Sequence, residues 1–122
     1  MEAKGLINLL RAGRNTAVQS AGRTFTVRRP TDLEMHEMAG KIDQRTLLVK
    51  FVVNWGSMSE VDLGIPGGGP EMVTFDPSLW EEWIADHPEH WQDITAAVVD
   101  GYRAHKSAME ESAKNSAPGS AS

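Results

Sequence analysis

Two histidines three positions apart are the residues best suited to bind a metal ion. His87 and His90 lie in the segment DHPEHW, and each follows an acidic residue. Such spacing can put two imidazoles on one helical turn, but a zinc site needs a third protein ligand from elsewhere. His36 and His105 are the other histidines, at positions equally suited to solvent. Because Pro88 separates the pair, we expect His87 to cap a helix and expect no metal site.

The segment VDLGIPGGGPEM, residues 61–72, has the glycines of a phosphate-binding loop. Such a loop needs converging backbone amides, a helix directly after it, and usually a lysine followed by serine or threonine. Here Pro66 and Pro70 lack an amide proton, Glu71 has the wrong charge, and the lysine is missing. We therefore reject phosphate binding. The loop 56–73 is long for a compact domain, so we predict that it is flexible or ordered by a partner.

The other polar residues form no catalytic set. The adjacent pairs Glu81-Glu82 and Glu110-Glu111 point apart on a helix, whereas acid–base catalysis needs carboxyl groups that converge. Serines are present, but without the strand–turn–helix motif that exposes a serine nucleophile. The chain contains no cysteine, which excludes a thiol nucleophile and cysteine-based metal sites. The sequence therefore predicts a non-enzymatic protein without a cofactor.

Four tryptophans are a heavy load for 122 residues. Packing in a small core is the favoured interpretation, because each ring buries a large area. However, Trp80 and Trp83 lie three apart on a short predicted helix, and aromatic residues also anchor interfaces. We therefore predict this pair at a partner or oligomer interface as the alternative, with one ring partly exposed.

The first half of the chain predicts a short helix, a β-hairpin and a second helix. Residues 5–12 are apolar enough for the first helix, and alternation on both sides of Ala21-Gly22 indicates the hairpin. Within it, Phe25 and Val27 share one face. Thr31, with Glu34 three residues later, forms a capping-box pattern that begins a helix from Asp32 to about Ala39, which Gly40 ends.

The apolar segment QRTLLVKFVVNW, residues 44–55, fits either a helix or a buried strand. Leu47, Leu48, Phe51, Val52 and Trp55 recur at helical spacing, whereas the β-branched valines also suit a strand. We predict a helix, central to the core because it is apolar nearly all round.

Two helices are predicted in the second half. Asp76 caps the first, and Pro77 occupies its first position. Pro88 opens the second, which is expected to fade near Glu111. We expect an α+β fold, mainly α, in which an N-terminal hairpin packs with three to four helices. One globular domain spans residues 1–113, and residues 114–122 form a disordered tail or linker.

Charge is distributed unevenly along the chain. Residues 1–30 hold six basic residues and one acidic residue, whereas the rest holds six basic and sixteen acidic ones. This asymmetry suits head-to-tail self-association, with Arg28 and Arg29 at the interface, although an unevenly charged solvated surface is the alternative. The acidic remainder should repel phosphate backbones, so we expect no nucleic-acid partner. With no apolar run near the roughly 18 residues that span a bilayer, we expect a soluble protein without a signal peptide or membrane partner.

Together these segments resemble the small tail assembly chaperones of long-tailed bacteriophages, over about Arg23 to Ala108. The resemblance rests on the order of three stretches, none specific alone: GRTFTVRRPTDLEMHEM, LLVKFVVNW followed by glycine, and VTFDPSLWEEWIADHPEHWQDITAAVVDGYRAH. In that family a loop returns to a short strand with phenylalanine, followed by a tryptophan-containing helix, a proline and a long helix. The family has no catalytic signature.

The resemblance implies a chaperone that coats the tape measure protein until tail tube subunits polymerise around it. It implies action in the cytoplasm of the host bacterium and absence from the finished virion. Many members also exist in a frameshift-extended form that recruits tail tube protein, and residues from Lys114 onward would then link to that extension. The alternatives are a structural tail or neck component of the virion, or a small metal-dependent enzyme that uses His87 and His90.

Overall fold

A computed structural model describes residues 2–39 and 41–116 of the chain. Within these ranges the chain forms three strands and five α-helices, with one 3-10 turn. The elements in order are α1 (Ala3–Ala12), β1 (Asn15–Ser20), β2 (Arg23–Arg28), α2 (Asp32–Glu37), α3 (Gln44–Lys50), β3 (Val52–Trp55), α4 (Pro77–Ala85), the 3-10 turn (Pro88–His90) and α5 (Trp91–Ser116). With 53% helix and 16% strand, the predicted α+β class, mainly α, is confirmed.

The predicted hairpin is confirmed, and it forms two strands of a three-stranded antiparallel sheet with the order β1-β2-β3. Ala21 and Gly22 connect β1 to β2, and both have positive φ angles, of 46° and 82°. A two-residue hairpin turn of type I′ requires this backbone conformation, which glycine adopts without steric cost. As predicted, Phe25 and Val27 share one face of the strand; this face is turned to the core, where each is only 1% exposed.

The capping box at the start of α2 is also confirmed. The Glu34 amide donates to Thr31 Oγ1 at 3.1 Å, and the Thr31 amide donates to Glu34 Oε1 at 2.9 Å. These two bonds satisfy amides that a helix start leaves without partners. The helix ends at Glu37, before the predicted Ala39, and Gly40 lies outside the described residues.

The prediction of one helix over residues 44–55 is wrong. The helix α3 ends at Lys50, and the next residues form β3, which pairs with β2 through Phe25 opposite Trp55 and Val27 opposite Val52. The pairing supplies backbone partners to a segment whose β-branched valines fit a pleated strand better than a helix. A register shift in β2 beside Val27 accommodates the extra residue in β3.

The first of the two later helices begins as predicted, whereas the second begins at Trp91, three residues after the predicted Pro88. Asp76 Oδ1 accepts a hydrogen bond from the Leu79 amide at 3.0 Å, and Pro77 is the first residue of α4. Pro88 opens the 3-10 turn that leads into α5. α5 continues to Ser116, past the predicted end near Glu111. The predicted tail therefore begins inside this helix, and its residues 117–122 lie outside the described residues.

The core lies between the sheet and a helical layer. α5 packs against β1, β2 and α3, and α4 packs against α3. Trp55 and Phe51 are buried here as members of β3 and of its junction with α3, at 1% and 0% exposure. The core therefore depends on both halves of the segment 44–55.

Candidate partner-binding surfaces

Trp80 and Trp83 lie in the core, not at a surface. Trp80 is 0% exposed and Trp83 is 5% exposed. The indole Nε1 of Trp80 donates to the carbonyl oxygen of Leu48 at 2.8 Å, and its ring meets the edge of Phe25 at a centroid distance of 5.4 Å. The prediction that one of the pair is partly exposed is wrong, and their proposed role at an interface loses its basis. Side chains from the sheet and from neighbouring helices cover both rings, which sequence spacing alone does not reveal.

The two histidines flank Trp83 and do not form a metal site. His87 stacks on the Trp83 ring at a centroid distance of 3.9 Å, and its Nδ1 lies 2.6 Å from the Trp83 carbonyl oxygen. His90 stacks at 5.5 Å, and its Nδ1 lies 2.9 Å from Ser20 Oγ. Among the described residues, no three histidine, cysteine, aspartate or glutamate side chains are grouped closely enough to hold a metal ion. The geometry thus favours a packing role for both rings.

His90 is a buried histidine whose pKa the fold shifts. Its side chain is 2% exposed, and Ser20, with which it is hydrogen-bonded, is 3% exposed. Burial lowers the pKa of His90 below 6.5, although the nearby Glu89 carboxylate acts in the opposite direction. The neutral imidazole is therefore the form that the fold stabilises.

Arg28 is used inside the molecule. Its Nη1 and Nη2 donate to the two carboxylate oxygens of Glu34 at 2.7 and 2.8 Å, and its guanidinium lies 4.7 Å from the centre of the Phe51 ring. Lys50 Nζ adds a contact to Glu34 at 3.5 Å. The Arg28 hydrogen bonds are the main reason that the pKa of Glu34 falls to about 2. A residue committed to such a bidentate pair stabilises the fold and is poorly available to a partner.

Arg29 lies beside Arg28 but has different surroundings. Its Nη1 donates to the Pro30 carbonyl oxygen at 3.0 Å, and its Cβ packs so near Gly101 of α5 that a methyl group on that glycine would lie 3.3 Å from it. The side chain is partly buried. The two arginines of the predicted interface therefore lie in different environments. Arg28 is paired with a carboxylate, whereas the Arg29 guanidinium contacts no carboxylate among the described residues.

The feature that sequence reasoning missed is an unpartnered apolar face on α1. This helix buries none of its ten residues. Leu6, Ile7, Leu9 and Leu10 are 48%, 45%, 59% and 65% exposed, and at 100° per residue they fall on one side of the helix. The signal was available, because leucines and isoleucine at three- and four-residue steps describe an amphipathic helix. Whether another element covers this face depends on the tertiary arrangement, and in the described chain none does.

Three further large apolar side chains are exposed in the loop 56–73: Val61, Ile65 and Met72, which are 60%, 42% and 69% exposed. We call these three residues the loop patch. The loop beneath them is held by hydrogen bonds, since Asp62 Oδ2 accepts from both the amide and the hydroxyl of Ser59 at 2.8 and 2.9 Å. These contacts lower the pKa of Asp62. The predicted flexibility of the loop stays a prediction.

The glycines of this loop are engaged internally. The Gly69 amide donates to Glu60 Oε1 at 3.0 Å, and the Gly68 amide donates to the Ile65 carbonyl at 2.9 Å. A carboxylate thus occupies a position that a phosphate loop would offer to its ligand, which agrees with the rejection of phosphate binding.

Two shallow hollows, of about 250 Å³ and about 350 Å³, lie among α3, α4 and α5 and share Gln44 as a lining residue. The first hollow is mainly apolar, and the Arg45–Glu81 ion pair lies on its edge. The apolar residues that line one or the other hollow include Ile42, Leu48, Val49, Ile84, Ala85, Trp91, Ala96 and Val99.

None of the helices in the described residues is long and apolar enough to cross a membrane. In comparisons with known proteins, no family model matches the chain, and neither the curated proteins nor the solved structures give a significant match.

Proposed function

We propose that this chain is a non-enzymatic assembly chaperone of the phage tail class, which binds the tape measure protein and keeps it soluble while the tail assembles. The observation that carries the proposal is the loop patch, where three large apolar side chains stand exposed on a hydrogen-bonded loop. Large apolar side chains exposed on one loop are candidates for a surface that binds other proteins. The sequence resemblance supplies the class of partner.

The chemistry of the patch suits a long helical partner. A methionine and two β-branched residues present adaptable apolar area without a deep pocket, and thioether side chains tolerate varied partner sequences. A coat along a long helix needs many copies that each bind weakly, because linked weak contacts add to a high overall avidity. On this proposal the chain acts in the host cytoplasm, self-associates, and is absent from the virion. A frameshift-extended form would bring in tail tube protein.

Affinity capture from phage-producing cells tests the proposal. A tagged chain is expected to recover one very long helical protein in excess, and Val61→Ser combined with Met72→Ser should reduce that recovery by about tenfold or more. Met109→Ser is the matched control, because Met109 is 53% exposed on α5, outside the loop 56–73. Its recovery should equal that of the wild type.

Two results would contradict the proposal. Recovery with mature tail or neck proteins, together with persistence in purified virions, would identify a structural component of the particle. Equal losses for the patch variant and the Met109→Ser control would show that the loop patch is not the binding surface.

A further inference from the structure

A hollow of about 510 Å³ lies where the end of α1 and the start of α2 meet the sheet. Its strand residues Arg28 and Val53 follow the buried Val27 and Val52. Because successive side chains of a strand point to opposite faces, the hollow lies on the side of the sheet opposite these two core valines. We call it the basic hollow, after the three arginines in its lining: Arg11, Arg14 and Arg28.

The basic hollow contains more positive charge than its own carboxylate offsets. Glu34 lines it as well, but both Glu34 oxygens already accept hydrogen bonds from Arg28, and Lys50 lies 3.5 Å from one of them. Neither Arg11 nor Arg14 contacts a carboxylate among the described residues. Two guanidinium groups therefore create a local positive potential on a chain whose net charge is −5.

The backbone holds these two arginines in place. The Arg14 amide donates to the Arg11 carbonyl oxygen at 3.1 Å, and the Arg14 carbonyl oxygen accepts from the Arg29 amide at 3.0 Å. Residues three or four positions apart share one side of a helix, so Ile7 lies on the Arg11 side of α1, whereas Leu9 points away from it. Ile7 is 45% exposed. An apolar side chain is thus available beside the two free guanidinium groups.

The geometry points to the basic hollow as the docking site of a short acidic segment of a partner protein. Carboxylates of that segment bind Arg11 and Arg14, and a neighbouring apolar side chain packs on Ile7. The planar guanidinium group binds a carboxylate through two parallel hydrogen bonds. The volume lies within the range of about 300–1,000 Å³ that is usual for ligand-binding clefts. The site is separate from the loop patch and does not require a tape measure protein.

Extended polyanions fit this site less well than a short acidic segment does. Residues 31–122 contain sixteen acidic residues and six basic ones. A nucleic acid or an anionic bilayer extends beyond the hollow and meets this acidic remainder, which repels it. The residues that line the hollow also include no aromatic ring on which a base could stack. A short segment needs to contact only the positive end of the molecule.

Fluorescence anisotropy with synthetic peptides tests the proposal on the purified full-length chain. The probe is a rhodamine-labelled peptide of repeated Glu-Glu-Leu triplets, and the reference peptide has glutamine in place of each glutamate. We expect the acidic peptide to bind about tenfold more tightly than the reference, because hydrogen bonds to charged groups are the stronger ones. Arg11→Gln combined with Arg14→Gln should weaken binding of the acidic peptide by about tenfold or more.

Two controls separate the hollow from net charge and from the apolar face of α1. Lys41→Gln combined with Arg103→Gln removes the same two charges from exposed positions outside the hollow, and it should change the affinity by less than about twofold. Leu9→Gln alters the other side of α1 and should leave binding unchanged. Because α1 buries no residue, we expect these variants to fold, which circular dichroism and thermal melts check.

The inference would be overturned by equal affinities for the two peptides, by equal losses in the two double variants, or by an equal loss in Leu9→Gln. Phosphatidylglycerol vesicles and a single-stranded oligonucleotide are the competing probes. If either binds the wild type more tightly than the acidic peptide does, and Arg11→Gln with Arg14→Gln abolishes that binding, the site belongs to a membrane or a nucleic acid. If that variant instead lowers self-association in sedimentation velocity as strongly as it lowers peptide binding, the occupant is a second copy. All these measurements use the purified chain, so their failure is distinguishable from failure to capture a tape measure protein.

Discussion

Replacing Arg28 with glutamine should lower the free energy of unfolding at pH 7 by about 2–3 kcal/mol. The variant removes both hydrogen bonds to the Glu34 carboxylate, at 2.7 and 2.8 Å, and the contact of the guanidinium with Phe51. Both partners are mostly buried, with side-chain exposures of 24% and 17%. The negative charge of Glu34 would then be only partly offset, by the Lys50 ammonium.

The magnitude follows from the pKa of Glu34, which falls from 4.5 to about 2 in the folded chain. At about 1.4 kcal/mol per pKa unit this corresponds to roughly 3 kcal/mol of favourable interaction with the ionised form. Arg28 supplies the largest part, and the Thr31 amide and Lys50 supply the rest. The stabilisation is complete above pH 4.5 and is lost as the pH falls from there towards about 2, because the unfolded chain takes up the proton first.

Urea unfolding monitored by tryptophan fluorescence, at pH 7 and at several values between 5 and 2.5, measures both effects. The difference between wild type and Arg28→Gln should shrink steadily as the pH falls through this window. Arg29→Gln is the control, because the Arg29 guanidinium donates to a carbonyl oxygen and pairs with no carboxylate among the described residues, and it should cost less than about 1 kcal/mol. A pH-independent difference, or equal costs for the two variants, would refute the assignment of Arg28 to the Glu34 pair.

Three further changes probe the core and the loop. Trp80→Phe should cost about 2–4 kcal/mol, because the ring is fully buried and its loss leaves a void as well as the Leu48 carbonyl without its donor. Trp91→Phe also removes a donor, to Ile84, but the Trp91 ring is only partly buried, so this variant should cost about 1 kcal/mol; equal midpoints in urea would contradict this ranking. Burial lowers the pKa of His90, so its contribution is complete above pH 6.5 and falls below it by at most about 1.4 kcal/mol per pH unit. A His90→Gln chain whose melting temperature falls between pH 7 and 5 as much as that of the wild type would disprove that link. Gly68→Ala should cost about 1–3 kcal/mol, since its Cβ would lie 2.8 Å from a side-chain carbon, while Gly69→Ala, with its nearest contact at 3.7 Å, should melt like the wild type.

Local signals in the sequence were sufficient to predict some elements of the fold. The Ala21-Gly22 turn and the Thr31–Glu34 capping box each depend on residues within a few positions of one another, and both form as predicted. The start of α4 at Pro77 is set in the same way by Asp76. In each case the residues that satisfy the backbone lie inside the segment that they organise.

Features that depend on distant residues could not be predicted in this way. β3 exists because β2 offers it backbone partners, and the helical spacing of Leu47 to Trp55 carries no information about that neighbour. The burial of Trp83 likewise depends on Phe25, His87 and His90, which reach it from other elements. Tertiary context therefore decided both the helix predicted over residues 44–55 and the partial exposure predicted for one ring of the Trp80–Trp83 pair.

The basic first part of the chain contains arginines with two different tasks, and this affects how charge-reversal experiments are interpreted. Arg28 is bound to Glu34, so loss of self-association in Arg28→Glu would follow from destabilisation of the fold and would say nothing about an interface. Lys4 and Arg11 are exposed on α1, which buries no residue, so the fold should tolerate their reversal. If Lys4→Glu and Arg11→Glu abolish self-association while the free energy of unfolding stays unchanged, the electrostatic contribution to self-association lies on α1. The exposed basic residues of α1, unlike Arg28, are therefore the ones whose reversal tests self-association without disturbing the Arg28–Glu34 pair.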